Sequence, residues 1–89
     1  MITLDQVVTA IYRVENSTTH PYGIMAHYNH TSPKQACMNT VLHAARDYHM
    51  VNVDKKFIYY LANRYCPPST DKQGNLNWKA NMVQILNIK

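Results

Sequence analysis

Glu15 is the one glutamate among 89 residues, and its place in the chain suits it to chemistry. Leu4, Val8, Ile11 and Glu15 recur at spacings of three and four, which lines their side chains along one helix face, with Val7, Tyr12 and Val14 flanking the stripe. The carboxyl therefore ends a stripe that faces the interior or a cleft. Burial disfavours the charged form of a carboxyl, and a half-desolvated acid is suited to hand a proton to a leaving oxygen. A helix-end glutamate that reaches solvent, or that caps a neighbouring helix, satisfies the same spacing, so both roles stay open.

The other reactive residue types give weaker patterns. His20, His27 and His30 fall in one loop and His43 and His49 on a later helix, at spacings that match no metal site. No metal and no cofactor is expected. Cys37 and Cys66 lie far apart, in no metal motif and beside no nucleophile pattern. Neighbouring second and third helices would allow them to pair, and a reduced buried pair fits the chain equally well.

Four helices position these groups. Thr3-Leu4-Asp5-Gln6 has the capping-box form at the start of the first, and Asn16-Ser17-Thr18-Thr19-His20-Pro21 ends it within a residue or two of Glu15. Ser32-Pro33-Lys34-Gln35 is a second capping box, followed by an inner stripe of Cys37, Thr40, Val41, Ala44 and Tyr48 that ends near His49. Asp54 caps a third helix with Phe57, Ile58, Leu61, Ala62 and Tyr65 inside, stopped by Pro67-Pro68. The stretch from Pro68 to Gly74 reads as a polar loop. The last helix is expected from Asn75 or Asn77 towards Asn87, burying Trp78, Met82, Ile85 and Leu86. Residues 20–31 carry no helical pattern, and Tyr22 to Tyr28 reads as extended or as a short hairpin. The expectation is one mainly α domain over residues 1–89, of about four helices, with an extended stretch or a short hairpin near 20–31.

Composition bounds the function. With 46% hydrophobic and 16% charged residues the chain is not a disordered segment. No apolar run is long enough to span a bilayer, and Met1-Ile2-Thr3-Leu4-Asp5 lacks the basic and apolar regions of a signal peptide. A net charge of +4 suits an anionic partner: nucleic acid, a cell-wall polymer or a lipid surface. Lys55-Lys56 is the one basic doublet and the other cations are scattered, a distribution that argues against nucleic acid.

Taken in order, these segments resemble the lysozyme-like superfamily, in the branch of soluble lytic transglycosylases and goose-type lysozymes, and small phage- and bacteria-type proteins within it. Ile11-Tyr12-Arg13-Val14-Glu15-Asn16-Ser17 is similar to that branch's helix ending in a catalytic glutamate followed by Ser, with Asn16 intervening here. Gly23-Ile24-Met25 is similar to the stretch that lines the glycan cleft, although Ala26 stands where a glutamine normally follows. Asn39 to Tyr48 is similar to the next helix, Tyr59 to Tyr65 to the helix entering the alanine-tyrosine-asparagine motif, and Asn77-Trp78 to Leu86 to the closing helix.

The resemblance implies a lysozyme-like fold trimmed in its loops, cleaving the β-1,4 bond between N-acetylmuramic acid and N-acetylglucosamine in a peptidoglycan strand. Glu15 is then the general acid and base, with Ser17, Tyr22, Gly23, Ile24, Met25, Tyr60, Asn63 and Tyr65 against the glycan; Tyr28 and Arg64 are further candidates. Two-carboxylate glycosidases place their second group about 5 to 10 Å from the acid, and no motif recommends Asp5, Asp47, Asp54 or Asp71. A single-carboxylate mechanism fits better, with the substrate's N-acetyl group stabilising the cationic transition state. Whether water or the sugar's own hydroxyl attacks stays open. Delivery to the wall would follow cytoplasmic synthesis, through a virion or a holin. The competing expectation is a non-catalytic binding protein of degenerate lysozyme-like fold, with a protein partner in a phage or host assembly.

Overall fold

The computed structural model describes residues 1–16, 22 and 31–88, and among them the chain forms four helices and no strand. The mainly α architecture is the one expected. The proposed hairpin near 20–31 lies outside the described residues, apart from Tyr22 and Thr31.

Helix α1 spans Leu4–Glu15. The Thr3 backbone N–H donates to Gln6 Oε1 at 2.8 Å while Gln6 N–H donates to Thr3 Oγ1 at 3.1 Å, so the capping box closes at both ends. Asn16 ends the helix in a left-handed conformation, φ 44°, which its short polar side chain tolerates. That stop fixes Glu15 as the last helical residue.

Helix α2 spans Pro33–Tyr48. Its capping box closes only halfway. Gln35 N–H donates to Ser32 Oγ at 3.1 Å, but the Gln35 side chain reaches forward to Asn39 Oδ1 at 2.9 Å instead of back to Ser32. A partner four residues ahead on the same face competes for the amide. His49, at φ 56°, terminates the helix.

Helix α3 spans Lys55–Tyr65, capped by Asp54, whose Oδ1 accepts from Phe57 N–H at 2.8 Å. Helix α4 spans Lys72–Leu86 and begins three residues before Asn75, the earlier of the two expected starts. Asp71 is the cap, accepting from Gly74 N–H at 2.8 Å. Gly74 reads as a turn signal but has a steric reason to be there. A Cβ at that position would overlap the Asp71 carboxylate and come within 3.1 Å of Cys66 Sγ.

The helices pack in cyclic order, α1 on α2, α2 on α3, α3 on α4 and α4 on α1. Their shared core holds Val7, Val8 and Ile11, Cys37, Val41 and Ala44, Phe57, Ile58, Leu61 and Ala62, and Trp78 and Met82. The radius of gyration of 12.4 Å matches the roughly 12 Å of a compact chain this long.

Two details of the buried stripes differ from expectation. On α1 the centre falls at Val7, Val8, Ala10 and Ile11, leaving Leu4 and Glu15 half-buried at its edge. On α4 the stripe is Asn75, Trp78 and Met82, while Ile85 is exposed and Leu86 half-buried. Ile85 is exposed because it lines an open cleft of about 240 Å³ between α1 and α4, with Ile2, Gln6, Thr9, Ala10, Arg13 and Leu86. Among the described residues no helix is long and apolar enough to cross a membrane.

Candidate functional site

Glu15 is half-buried where α1 stops, and its Oε1 accepts a hydrogen bond from the Trp78 indole N–H at 3.0 Å. A buried indole needs an acceptor for its one donor, and a carboxylate removed from water needs a donor. Each satisfies the other across 63 residues of sequence.

The Trp78 ring stacks on Tyr65, with centroids 5.5 Å apart and planes 20° from parallel. The Tyr65 hydroxyl lies 3.2 Å from Cys37 Sγ, and Cys37 is fully buried. The cluster therefore takes one side chain from each helix: Glu15 from α1, Cys37 from α2, Tyr65 from α3 and Trp78 from α4.

Burial raises the pKa of the Cys37 thiol, the nearby Glu15 charge adds to this, and the Tyr65 hydrogen bond opposes it. Burial also drives the Tyr65 phenol far above its ordinary 10.0, helped by the hydrogen bond to Cys37 and by the charges of Cys37 and Glu15, against a smaller opposing effect of Arg64. Both groups are neutral at pH 7. Cys37 is thus a packed thiol, without the lowered pKa that activates nucleophilic cysteines. Both cysteines are free, and the Cys66 thiol is likewise raised, by burial, then by Asp71 and Glu15.

The residues expected against the glycan scatter. Tyr65 belongs to the Glu15 cluster through Trp78. Tyr60 packs at a tilt against Tyr48, ring centroids 5.0 Å apart, and the Tyr48 ring lies 5.9 Å from that of Phe57, in a separate aromatic group. Asn63 Oδ1 accepts from Asn75 Nδ2 at 3.1 Å, a link between α3 and α4. Arg64 reaches Asp47 at 3.5 Å. Tyr22, at φ 60°, packs its ring 4.8 Å from that of Tyr12. Ser17, Gly23, Ile24, Met25 and Tyr28 lie outside the described residues, as do His20, His27 and His30.

All four aspartates have other partners. Asp5 pairs with Lys34 at 3.8 Å, Asp47 with Arg46 and Arg64 at 3.5 Å, and Asp54 and Asp71 cap α3 and α4. Among the described residues no group of three His, Cys, Asp or Glu is placed to hold a metal ion. Neither the cleft between α1 and α4 nor a second of about 270 Å³, lined by Thr31, Ala36, Asn39, Thr40 and His43, includes Glu15.

Trp78 and Cys37 are the cluster members that the sequence alone did not single out as part of a site. The available signal was stoichiometric: one buried indole donor and one half-buried glutamate in a chain with a single copy of each. No family model, curated protein or solved structure matches the chain.

Proposed function

We propose that the protein cleaves the β-1,4 bond between N-acetylmuramic acid and N-acetylglucosamine in peptidoglycan, with Glu15 as the acid that protonates the glycosidic oxygen. The observation that carries this reading is the setting of Glu15. The chain's one glutamate is half-buried at the end of α1, with one oxygen fixed by the Trp78 indole and neutral Tyr65 and Cys37 behind it. Water is partly excluded, and among the described residues Oε2 has no protein partner, so it is the oxygen assigned to the glycosidic bond in the general-acid role.

The commitments of the four aspartates favour a mechanism with one carboxylate. The substrate's N-acetyl group stabilises the developing cation, and Glu15 then deprotonates the attacking hydroxyl. That hydroxyl is water in a muramidase and the sugar's own in a lytic transglycosylase. On this reading Ser17, Tyr22, Gly23, Ile24 and Met25, which follow the acid in the sequence, are the residues that meet the glycan strand.

The test is Glu15→Gln on purified peptidoglycan. A glutamine amide oxygen still accepts from Trp78, so the variant keeps its helical circular dichroism while lysis is lost. Undiminished lysis removes Glu15 from the role of acid.

A second reading has an observation of its own. The Trp78 to Glu15 hydrogen bond joins α1 to α4 and accounts for a half-buried carboxylate by architecture alone. A non-catalytic binding module in a phage or host assembly would show no lysis with either protein.

A further inference from the structure

We infer that Trp78 is the positioning residue for Glu15: its indole N–H holds Oε1 and so directs the second carboxyl oxygen to the ligand. The functional half of this inference rests on the glycosidase reading; the physical half does not.

A glutamate at the last position of a helix has three rotatable side-chain bonds and no following turn to restrain it. A proton donor must be placed to within a fraction of an ångström, and a displacement of about 1 Å costs on the order of a hundredfold in rate. The restraint comes from the far side of the core. Trp78 is 5% exposed and its ring plane is set by stacking on Tyr65. Tyr65 is in turn tied by its hydroxyl to Cys37, which is fully buried. The carboxyl is thus referenced to all four helices through three side chains that are rigid or immobilised. Among the described residues the 3.0 Å bond engages one oxygen, Oε1, and a carboxyl offers about four acceptor sites over its two oxygens.

Trp78 is the only tryptophan in the chain, so tryptophan emission reports on this one side chain. The titratable groups of its cluster on the described helices are Glu15 on α1, Cys37 on α2 and Tyr65 on α3, with Arg64 acting on Tyr65 and the Cys66 thiol, at the end of α3, within the field of Glu15. Cys37 and Tyr65 have raised pKa values and keep their protons through the acidic range. An emission change in the acidic range that Glu15→Gln lacks therefore belongs to Glu15.

The experiment has two arms on the full chain. In the first, Trp78 emission is followed against pH in the wild type and in Glu15→Gln. The expected result is a one-proton transition that the variant lacks; the same transition in both proteins overturns the inference. In the second, Trp78→Phe keeps an aromatic ring on Tyr65 and removes the N–H. With helical circular dichroism retained, its kcat on peptidoglycan is expected to fall at least about tenfold while KM stays within about twofold. An unchanged kcat overturns the positioning role. If the wild type releases nothing from peptidoglycan, the glycosidase reading fails, and the fluorescence arm still decides whether Trp78 holds Glu15.

Discussion

Replacing Asn75 tests how α3 and α4 are joined beneath the site. Asn75 is 1% exposed, the one buried polar side chain among the described residues. Its Nδ2 donates to the Cys66 carbonyl at 2.8 Å and to Asn63 Oδ1 at 3.1 Å. A carbonyl only accepts, so the amide orientation is fixed. Cys66 ends α3 at φ −144°, not in the left-handed turn that closes the other three helices, and Asn75 supplies the donor its carbonyl would otherwise lack. Asn75→Ala removes two hydrogen bonds worth about 1 kcal/mol each and leaves a carbonyl unsatisfied, so the expected loss is about 2 to 3 kcal/mol. In a domain of this size that lowers Tm by roughly 10 to 20 °C. Asn75→Asp has the same shape but puts acceptors against acceptors and a charge into the core, so at pH 7 it is expected to cost more than Asn75→Ala. The introduced carboxyl would have a folded pKa above its unfolded value. Its folded state binds the extra proton, so the stability deficit narrows as pH falls from 7 towards 4. Thermal melts by circular dichroism at both pH values measure this. A Tm within about 3 °C of wild type for Asn75→Ala, or an Asn75→Asp deficit that ignores pH, would refute the donor role.

Three further outcomes follow from the same packing. Gly74→Ala ordinarily gains about 1 kcal/mol in a helix, but here the new methyl displaces the Asp71 cap, worth about 1 kcal/mol, and crowds Cys66; no rise in Tm is expected, and a clear rise would contradict the steric account. The raised pKa values of Cys37 and Tyr65 mean that the folded chain keeps protons the unfolded chain releases, above their ordinary 9.0 and 10.0. Stability is therefore fully present below about pH 9 and lost above it, at up to about 1.4 kcal/mol per pH unit for each group; a urea midpoint flat to pH 10.5 would contradict this. Under a thiol reagent without denaturant, half-buried Cys66 is expected to react and fully buried Cys37 only after unfolding; two equally fast thiols would show that Cys37 is not enclosed.

Much of the fold is legible in the sequence because its signals are local. Thr3, Ser32 and Asp54 cap the first three helices where expected, and the core residues of α3 are the four from Phe57 to Ala62 that the spacing selects. The start of α4 is hidden because two local rules point the wrong way. Gly74 suggests a turn and Asn75 suggests a cap, yet the first avoids the Asp71 carboxylate and the second is a buried donor. The stripe on α1 puts Glu15 on the inner face, and the structure leaves it half-buried at the edge of that face. Its partner Trp78 stands 63 residues away, and no periodicity within one helix encodes which side chains meet across the core. Tyr60 and Tyr65 are both expected against the glycan, but five residues turn them to different faces of α3, one to Tyr48 and one to Trp78.

Peptidoglycan digestion with product analysis by mass spectrometry tests the central claim most directly. The account predicts soluble muropeptides with anhydro or reducing muramic ends from the wild type and none from Glu15→Gln. Equal release by both proteins, or no release by the wild type, would contradict it.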